Sequence, residues 1–315
     1  MDVSITAIDD LAATLLLSNY ASARPDLVAL YERAKGRQWN GTTDLPWETP
    51  VEARGDIMDE RRASLYGSAI YEAMKPAQRS DYRARETAWV LSQFMHGEQA
   101  SLLACGQLMA ALPDMDAKFY AASQGYDEAR HTEVYRRYLS EKLGRIYPMD
   151  ANLRFICDTA LGSPDWTMKL VAIQLIIESL ALGAFKTLLD SARDPLLVQL
   201  LTSVMQDEAR HVAFGRLALD AAIFECTPQE RADYEDFVLA CSEVMYFGFY
   251  PEDVFTELEL NDEDALRAAV NGSEQRQAFR RDLFSVLVPN ARAVGLLTSR
   301  VEARYRELGI LDFAE

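Results

Sequence analysis

The sequence predicts an all-α protein built on a four-helix bundle, and three observations lead there. Strand signals are nearly absent, because glycine and proline are sparse and long stretches rich in Ala, Leu, Glu, Arg and Gln favour helix. Hydrophobic residues make up 49% of the 315 positions, enough for a sizeable core. The pentapeptide DEARH occurs twice, at Asp127–His131 and Asp207–His211, in a chain with only three histidines.

Residues 1–76 read as short helices around the extended, turn-rich "RQWNGTTDLPWETPV". Long helices are expected at about 77–112, 115–143, 165–191, 195–224 and 228–248. "ALPDMD" breaks the first from the second, and "SARDP" breaks the third from the fourth. Residues 77–224 then form the bundle, and residues 225–315 add C-terminal helices, short ones beyond 251. No linker-like or low-complexity stretch interrupts the chain, so 1–315 is read as a single domain.

The net charge of −17 disfavours nucleic acid and anionic membranes, both polyanions that would repel it. The start "MDVSITAIDDLAATLLLSNY" lacks a basic region, and its apolar run is too short to span a bilayer. Cys105, Cys157, Cys226 and Cys241 show no CxxC spacing, so neither a disulfide frame nor a thiolate zinc site is indicated. A cytoplasmic location is the expectation.

The third long helix contains "VAIQLIIESLALGAF" (171–185), apolar all round and therefore buried. Glu178 sits in its middle, and a lone buried carboxylate costs several kcal/mol unless paired or bound to a cation. The repeat supplies the partner groups. Glu128 and His131 are three apart, as are Glu208 and His211, so each pair shares a helix face. Glu98 precedes Glu128 by 30 residues, and Glu178 precedes Glu208 by 30. At 1.5 Å per residue, roughly 20 Å of helix runs out to each break and back, which brings all six side chains to one height. Four carboxylates and two imidazoles converging in a four-helix bundle are the ligand set of a di-iron or di-manganese carboxylate centre. Their hardness suits iron or manganese rather than structural zinc. Asp127 and Asp207 are placed to accept the free N–H of the opposite half's histidine. Arg130 and Arg210 read as ion-pair partners for such acids, and His96 as a packed histidine pointing away from the metals.

With these residues in hand, the chain resembles the ferritin-like superfamily, specifically the ribonucleotide reductase small subunit and its ligand-binding oxidase relatives. "SQFMHGEQA" with "YDEARHTEVYRRYL" looks like the oxidase relatives' first metal half, and "IIESLAL" with "QDEARHVAFG" like the second. "RAKGRQWNGTTDLPW" is similar to the tryptophan-containing N-terminal segment of both groups, and the likeness covers about residues 31–220. The resemblance implies two iron ions, or one manganese and one iron, activating O2 to oxidise a small, apolar organic substrate, with an external electron donor and a homodimer. Leu182 and Phe185, one and two turns beyond Glu178, are candidates to line the substrate pocket.

The departures are specific. The positions of the oxidases' tyrosine–valine crosslink hold Ile173 and Ser101. The threonine of bacterial monooxygenases is Leu182 here. Di-iron arylamine N-oxygenases have a further histidine where this chain has Val204. Two features resemble the reductase subunit instead. Tyr135 stands at its radical tyrosine's position, and Trp39, Asp207 and His131 match its electron-transfer route. A radical-generating subunit is therefore one alternative to the oxygenase reading, and a ferroxidase or iron-storage role is the second.

Overall fold

The computed structural model describes residues 14–50 and 56–313, and among these the regular structure is helical. The helices are α1 (Pro25–Lys35), α2 (Ala69–Ala73), α3 (Pro76–Ala111), α4 (Met115–Arg137), α5 (Ala151–Gly162), α6 (Trp166–Leu170) and α7 (Glu178–Ser191). They continue as α8 (Pro195–Glu225), α9 (Pro228–Phe247), α10 (Glu252–Glu257), α11 (Glu263–Asn271), α12 (Glu274–Ala293) and α13 (Ser299–Glu307). The bundle consists of α3, α4, the α6–α7 rod and α8.

The expected breaks fall where the chain changes direction, and side chains cap the new helices. Asp114 accepts the amide of Ala117 at 2.8 Å and starts α4, while Asp194 accepts that of Leu197 at 3.1 Å and starts α8. Pro76 and Pro195 stand at first-turn positions, where a missing N–H costs nothing. Thr227 and Glu230 form a reciprocal capping box at the start of α9.

Two bundle helices widen where the sequence reads as uninterrupted α-helix. Val171–Ile177 and Tyr138–Leu143 are π-helical, and the first joins α6 to α7 directly before Glu178. Trp166–Ser191 is long and apolar enough to cross a bilayer, yet 83% of its most apolar window is buried inside the protein. It is the core rod of the bundle. Gly183 lets α12 lie against it, since a Cβ there would overlap the backbone of Asp282 and Leu283. Two elements differ from the sequence reading. α5 was not expected, and α12, at 20 residues, is no short helix. α5 carries ordinary punctuation, with Asp150 capping its start and Gly162 and Pro164 marking its end, whereas α12 runs on through Pro289.

Candidate dimetal centre

The six side chains spaced by the repeat meet in the middle of the bundle, and all are buried. Each histidine turns Nδ1 inward. His131 Nδ1 lies 3.3 Å from Glu98 Oε2, 3.7 Å from Glu128 Oε2 and 2.9 Å from Glu208 Oε1. His211 Nδ1 lies 3.2 Å from Glu128 Oε1, 3.8 Å from Glu178 Oε2 and 3.0 Å from Glu208 Oε2. Glu128 and Glu208 thus offer one oxygen to each half, while Glu98 and Glu178 stand at opposite ends. Two groups could each hold a cation: Glu98, Glu128, His131 and Glu208, and Glu128, Glu178 and His211.

The outward faces of the histidines cross the bundle as the spacing predicts. His131 Nε2 is 3.0 Å from Asp207 Oδ2, and His211 Nε2 is 3.3 Å from Asp127 Oδ2. Those contacts put a proton on Nε2 and leave Nδ1 for a metal. Arg130 bonds Asp127 at 2.5 Å and Asp207 at 2.8 Å, and Arg210 bonds Asp207 and lies 3.5 Å from Asp127. Trp39 Nε1 donates to Asp207 at 2.8 Å, its indole stacked over His131. The neighbouring Gln38 donates to Asp127 at 3.1 Å. His96 faces away, its Nε2 2.9 Å from the Tyr147 carbonyl.

Electrostatics test whether metal ions fit. Burial pushes Glu98 and Glu178 well above the usual carboxylate range, and the charge of Glu208 adds to it. Burial opposes the charged forms of His131 and His211, yet the surrounding carboxylates, led by Glu98 and Glu208 respectively, together outweigh it and raise both imidazoles. Burial likewise works against ionised Glu208, but the charge of His211 together with hydrogen-bonding contacts from Glu178, His131 and His211 pulls that carboxyl well down. Although His131 Nδ1 is near, Glu208 Oε1 accepts no well-formed hydrogen bond, and neither does Glu128 Oε2. Buried acceptors in that condition cost free energy that bound cations would relieve. The donor set fits a pair of hard divalent ions.

Three groups here escaped the sequence reading. Gln124 Nε2 donates to Glu128 Oε1 at 2.9 Å and to Glu178 Oε1 at 3.2 Å. Ser101 Oγ donates to the same Glu178 oxygen at 3.2 Å. Gln174 Nε2 donates to Gln124 Oε1 at 2.9 Å. Glutamines at helical spacing on buried faces were the available signal, since a buried amide must find partners.

An apolar cavity of about 60 Å³ adjoins Glu98 and Glu178 between α3 and α7. Phe94, Gly97, Ile177, Ala181, Ala184 and Phe185 line it. Phe185 therefore stands where the sequence puts it, but Leu182 does not, because the wall of α7 facing the cavity is the Ala181–Ala184–Phe185 flank. Tyr135 is fully buried one turn beyond His131, stacked on Phe185, and its hydroxyl has no partner among the described residues. Burial first, then Glu98 and Glu208, push that phenol's pKa well up.

A helical bundle enclosing this constellation defines a ferritin-like dimetal carboxylate protein. The chain belongs to the family described as P-aminobenzoate N-oxygenase AurF, whose family model matches residues 24–295. It is an O2-dependent oxidoreductase, an oxidase or oxygenase acting on a small organic substrate, and its carboxylate–histidine cluster could hold two metal ions. The fold is similar to that of "R2-like ligand-binding oxidase with aerobically reconstituted metal cofactor after photoconversion", at 15% identity and a TM-score of 0.54. That match covers 85% of this chain and 92% of the other. A second R2-like ligand-binding oxidase, with aerobically reconstituted Mn/Fe cofactor, matches at 15% identity and TM-score 0.52 over the same shares. No curated protein matches the chain.

Proposed function

We propose that the protein N-oxygenates an organic amine, with Glu98, Glu128, His131, Glu178, Glu208 and His211 as the metal ligands. The single observation that carries the ligand assignment is the pair of inward Nδ1 atoms, each flanked by three of the four carboxylates. The amine comes from the family's described activity on p-aminobenzoate. The overall change is R–NH2 + O2 + 2 e⁻ + 2 H⁺ → R–NHOH + H2O, with the electrons from an external donor. Bound metal ions would supply the O2 activation.

The chain's own groups do the rest. Asp127 and Asp207 hold each imidazole in the tautomer that faces inward. Gln124 and Ser101 fix the Glu178 carboxylate by two donors on one oxygen. Phe94, Ala181 and Phe185 exclude water from the space beside Glu98 and Glu178. Half-buried Trp39 reaches from the surface side to Asp207 and His131, a path for the donor's electrons. The reading as a single domain is supported by a contiguous apolar cluster that runs from Leu27 to Ile310. Exposed Leu103, Met109, Phe119 and Tyr126 on α3 and α4 support a homodimer, which sedimentation would test. Unpaired cysteines agree with the cytoplasm.

The test supplies reduced, metal-loaded protein with p-anisidine and O2 and looks for the hydroxylamine or nitro product by mass spectrometry. Product formation supports the reading, and O2 consumption without an oxidised amine contradicts it. The unpartnered Tyr135 hydroxyl favours a second reading, a radical-generating subunit, which electron paramagnetic resonance distinguishes by a persistent tyrosyl signal.

A further inference from the structure

The cavity beside the metal site has no cation in its wall among the described residues. A second chamber, of about 140 Å³, continues the same path outward. Phe249 and Phe279 line both spaces, so the two meet at that pair of stacked rings. Along α3 the path steps from Glu98 and Phe94 out to Val90, Trp89 and Glu86. Along α7, which faces α3, it steps from Ala181 and Phe185 out to Leu188 and Ser191. The α3 steps from Glu98 to Val90 and to Glu86 cover roughly 12–18 Å at 1.5 Å per residue. Phe249 sits at φ 68°, a strained left-handed conformation for an aromatic residue, at the neck of this path.

The outer chamber is where cations gather. Arg83 is paired with Asp56 at 3.3 Å and Glu60 at 3.1 Å, and Asp59 with Arg61 at 2.7 Å and Arg193 at 2.9 Å. Glu86 is held by the Ser64 amide and the Tyr82 hydroxyl, and burial pushes its carboxyl toward the neutral form. Arg276 is different. It is 5% exposed and meets no carboxylate among the described residues. Its terminal nitrogens donate to the carbonyls of Tyr246, Gly248 and Phe249 at the end of α9, and its buried Nε–H has no partner. Arg62, exposed at the mouth, also meets no carboxylate among the described residues. The Tyr250 and Phe279 rings lie 5.0 and 5.9 Å from the Arg276 guanidinium, so its charge sits among neutral groups with one N–H left over for an anion.

We infer that the outer chamber is a binding site for an organic anion, so that the substrate is an elongated amine whose acidic group lies roughly 12–18 Å from the metals, on Arg276 and Arg62. This rests on the amine N-oxygenase reading and sharpens it. In p-aminobenzoate one ring separates amine from carboxylate, too short a span to fill both positions. A carboxylate confined to the inner cavity would meet no lysine or arginine in its wall among the described residues. The anion and its spacer therefore set specificity.

Calorimetric titration of the metal-loaded protein tests this with three probes: p-aminobenzoyl-ε-aminocaproate, its methyl ester and p-aminobenzoate. The extended acid is expected to bind at least about tenfold more tightly than either other probe, as a charge-assisted hydrogen-bond pair would give. Arg62→Ala and Arg276→Gln should each erase that preference and leave ester binding unchanged. Should Arg276→Gln fail to fold, surface-exposed Arg62→Ala keeps the test decisive. Equal binding of acid and ester, p-aminobenzoate binding as tightly as the extended acid, or no binding of the extended acid overturns the inference. The two readings fail separately. An acid preference without oxidation of any amine removes N-oxygenation and keeps the anion site. Oxidation of p-anisidine without an acid preference does the reverse.

Discussion

At an offset of 80 residues, Glu98 matches Glu178, Asp127 matches Asp207, and Glu128, Arg130 and His131 match Glu208, Arg210 and His211. The same offset pairs Phe94 with Gln174, Ser101 with Ala181, Gln124 with Val204 and Tyr135 with Gly215. The first set holds the candidate ligands and their crossed hydrogen bonds, and it repeats. The second set surrounds them, and it does not. In the first half Phe94 packs against Tyr135, with ring centroids 6.2 Å apart. In the second half Gln174 lies against Gly215, where a Cβ would come within 2.6 Å of the Gln174 Cβ. One flank of the centre is therefore aromatic and bounds the cavity. The other is an amide network of Gln174, Gln124 and Glu178. Coordination needs symmetry between the halves. A substrate path needs the symmetry broken.

The largest expected effect comes from the repeated set. Asp207→Asn leaves Arg130 and Arg210 to share Asp127 as their carboxylate partner and weakens the hold on His131. Metal affinity or turnover should fall about 10–100-fold, as loss of such outer partners generally produces. Asp127→Asn should cost less, because Asp127 lacks the indole N–H that Asp207 receives from Trp39. Metal-binding titrations on both variants decide the order, and equal losses would break the asymmetry at this level.

Next is Gly215→Ala. The added methyl must displace Gln174, so unfolding free energy should drop by about 1–3 kcal/mol, measured by denaturant titration. The mirrored Tyr135 position carries a whole phenol without strain, which shows how far the halves have parted.

A smaller, pH-dependent effect lies where the repeat ends. α3 begins at Pro76, whereas α6 begins at Trp166, the counterpart of Glu86. The N-terminal extension of α3, which α6 lacks, brings Arg83 to the wall of the outer chamber. Burial raises the Glu86 pKa, so its stabilising contribution is complete below the unfolded value and is lost as pH rises through the folded one. Glu86→Gln should therefore raise the melting temperature more at pH 8 than at pH 4, by thermal unfolding at the two values. The reverse order would mean that the group is held ionised.

Much of this was legible beforehand because it depends on spacing. The six converging residues, the two aspartates and the two arginines each follow from a residue type at a helical interval. The breaks at Asp114 and Asp194 follow from local capping chemistry. What was not legible depends on packing between distant segments. Gln124 meets Glu178 across 54 residues, and Phe249 and Phe279 close a path walled by side chains of α3, α5, α7, α9 and α12. One turn of helix makes Leu182 a candidate for the cavity wall, but the choice of flank is made by the neighbours of α7. Val204 sits where the sequence comparison expected an arylamine N-oxygenase to place a histidine, yet the family match is to that group. The absent side chain argued against a family whose model matches residues 24–295.

The smallest expected effect is that of Tyr135→Phe. Its hydroxyl has no partner among the described residues, so stability should change by less than about 1 kcal/mol. Amine oxidation should survive, and oxygenated wild-type protein should give no persistent tyrosyl resonance. A resonance that disappears in the variant would favour the radical-generating reading.

Beneath all of these stands the claim that two diverged halves jointly hold two metal ions. Elemental analysis after anaerobic reconstitution with iron, or with manganese and iron, tests it most directly, alongside Glu178→Ala. The account predicts about two equivalents of metal per chain and a clear loss in the variant, matching the carboxylate–histidine set of di-iron bundles. Well under two equivalents in the wild type, with the same content in Glu178→Ala, would contradict it.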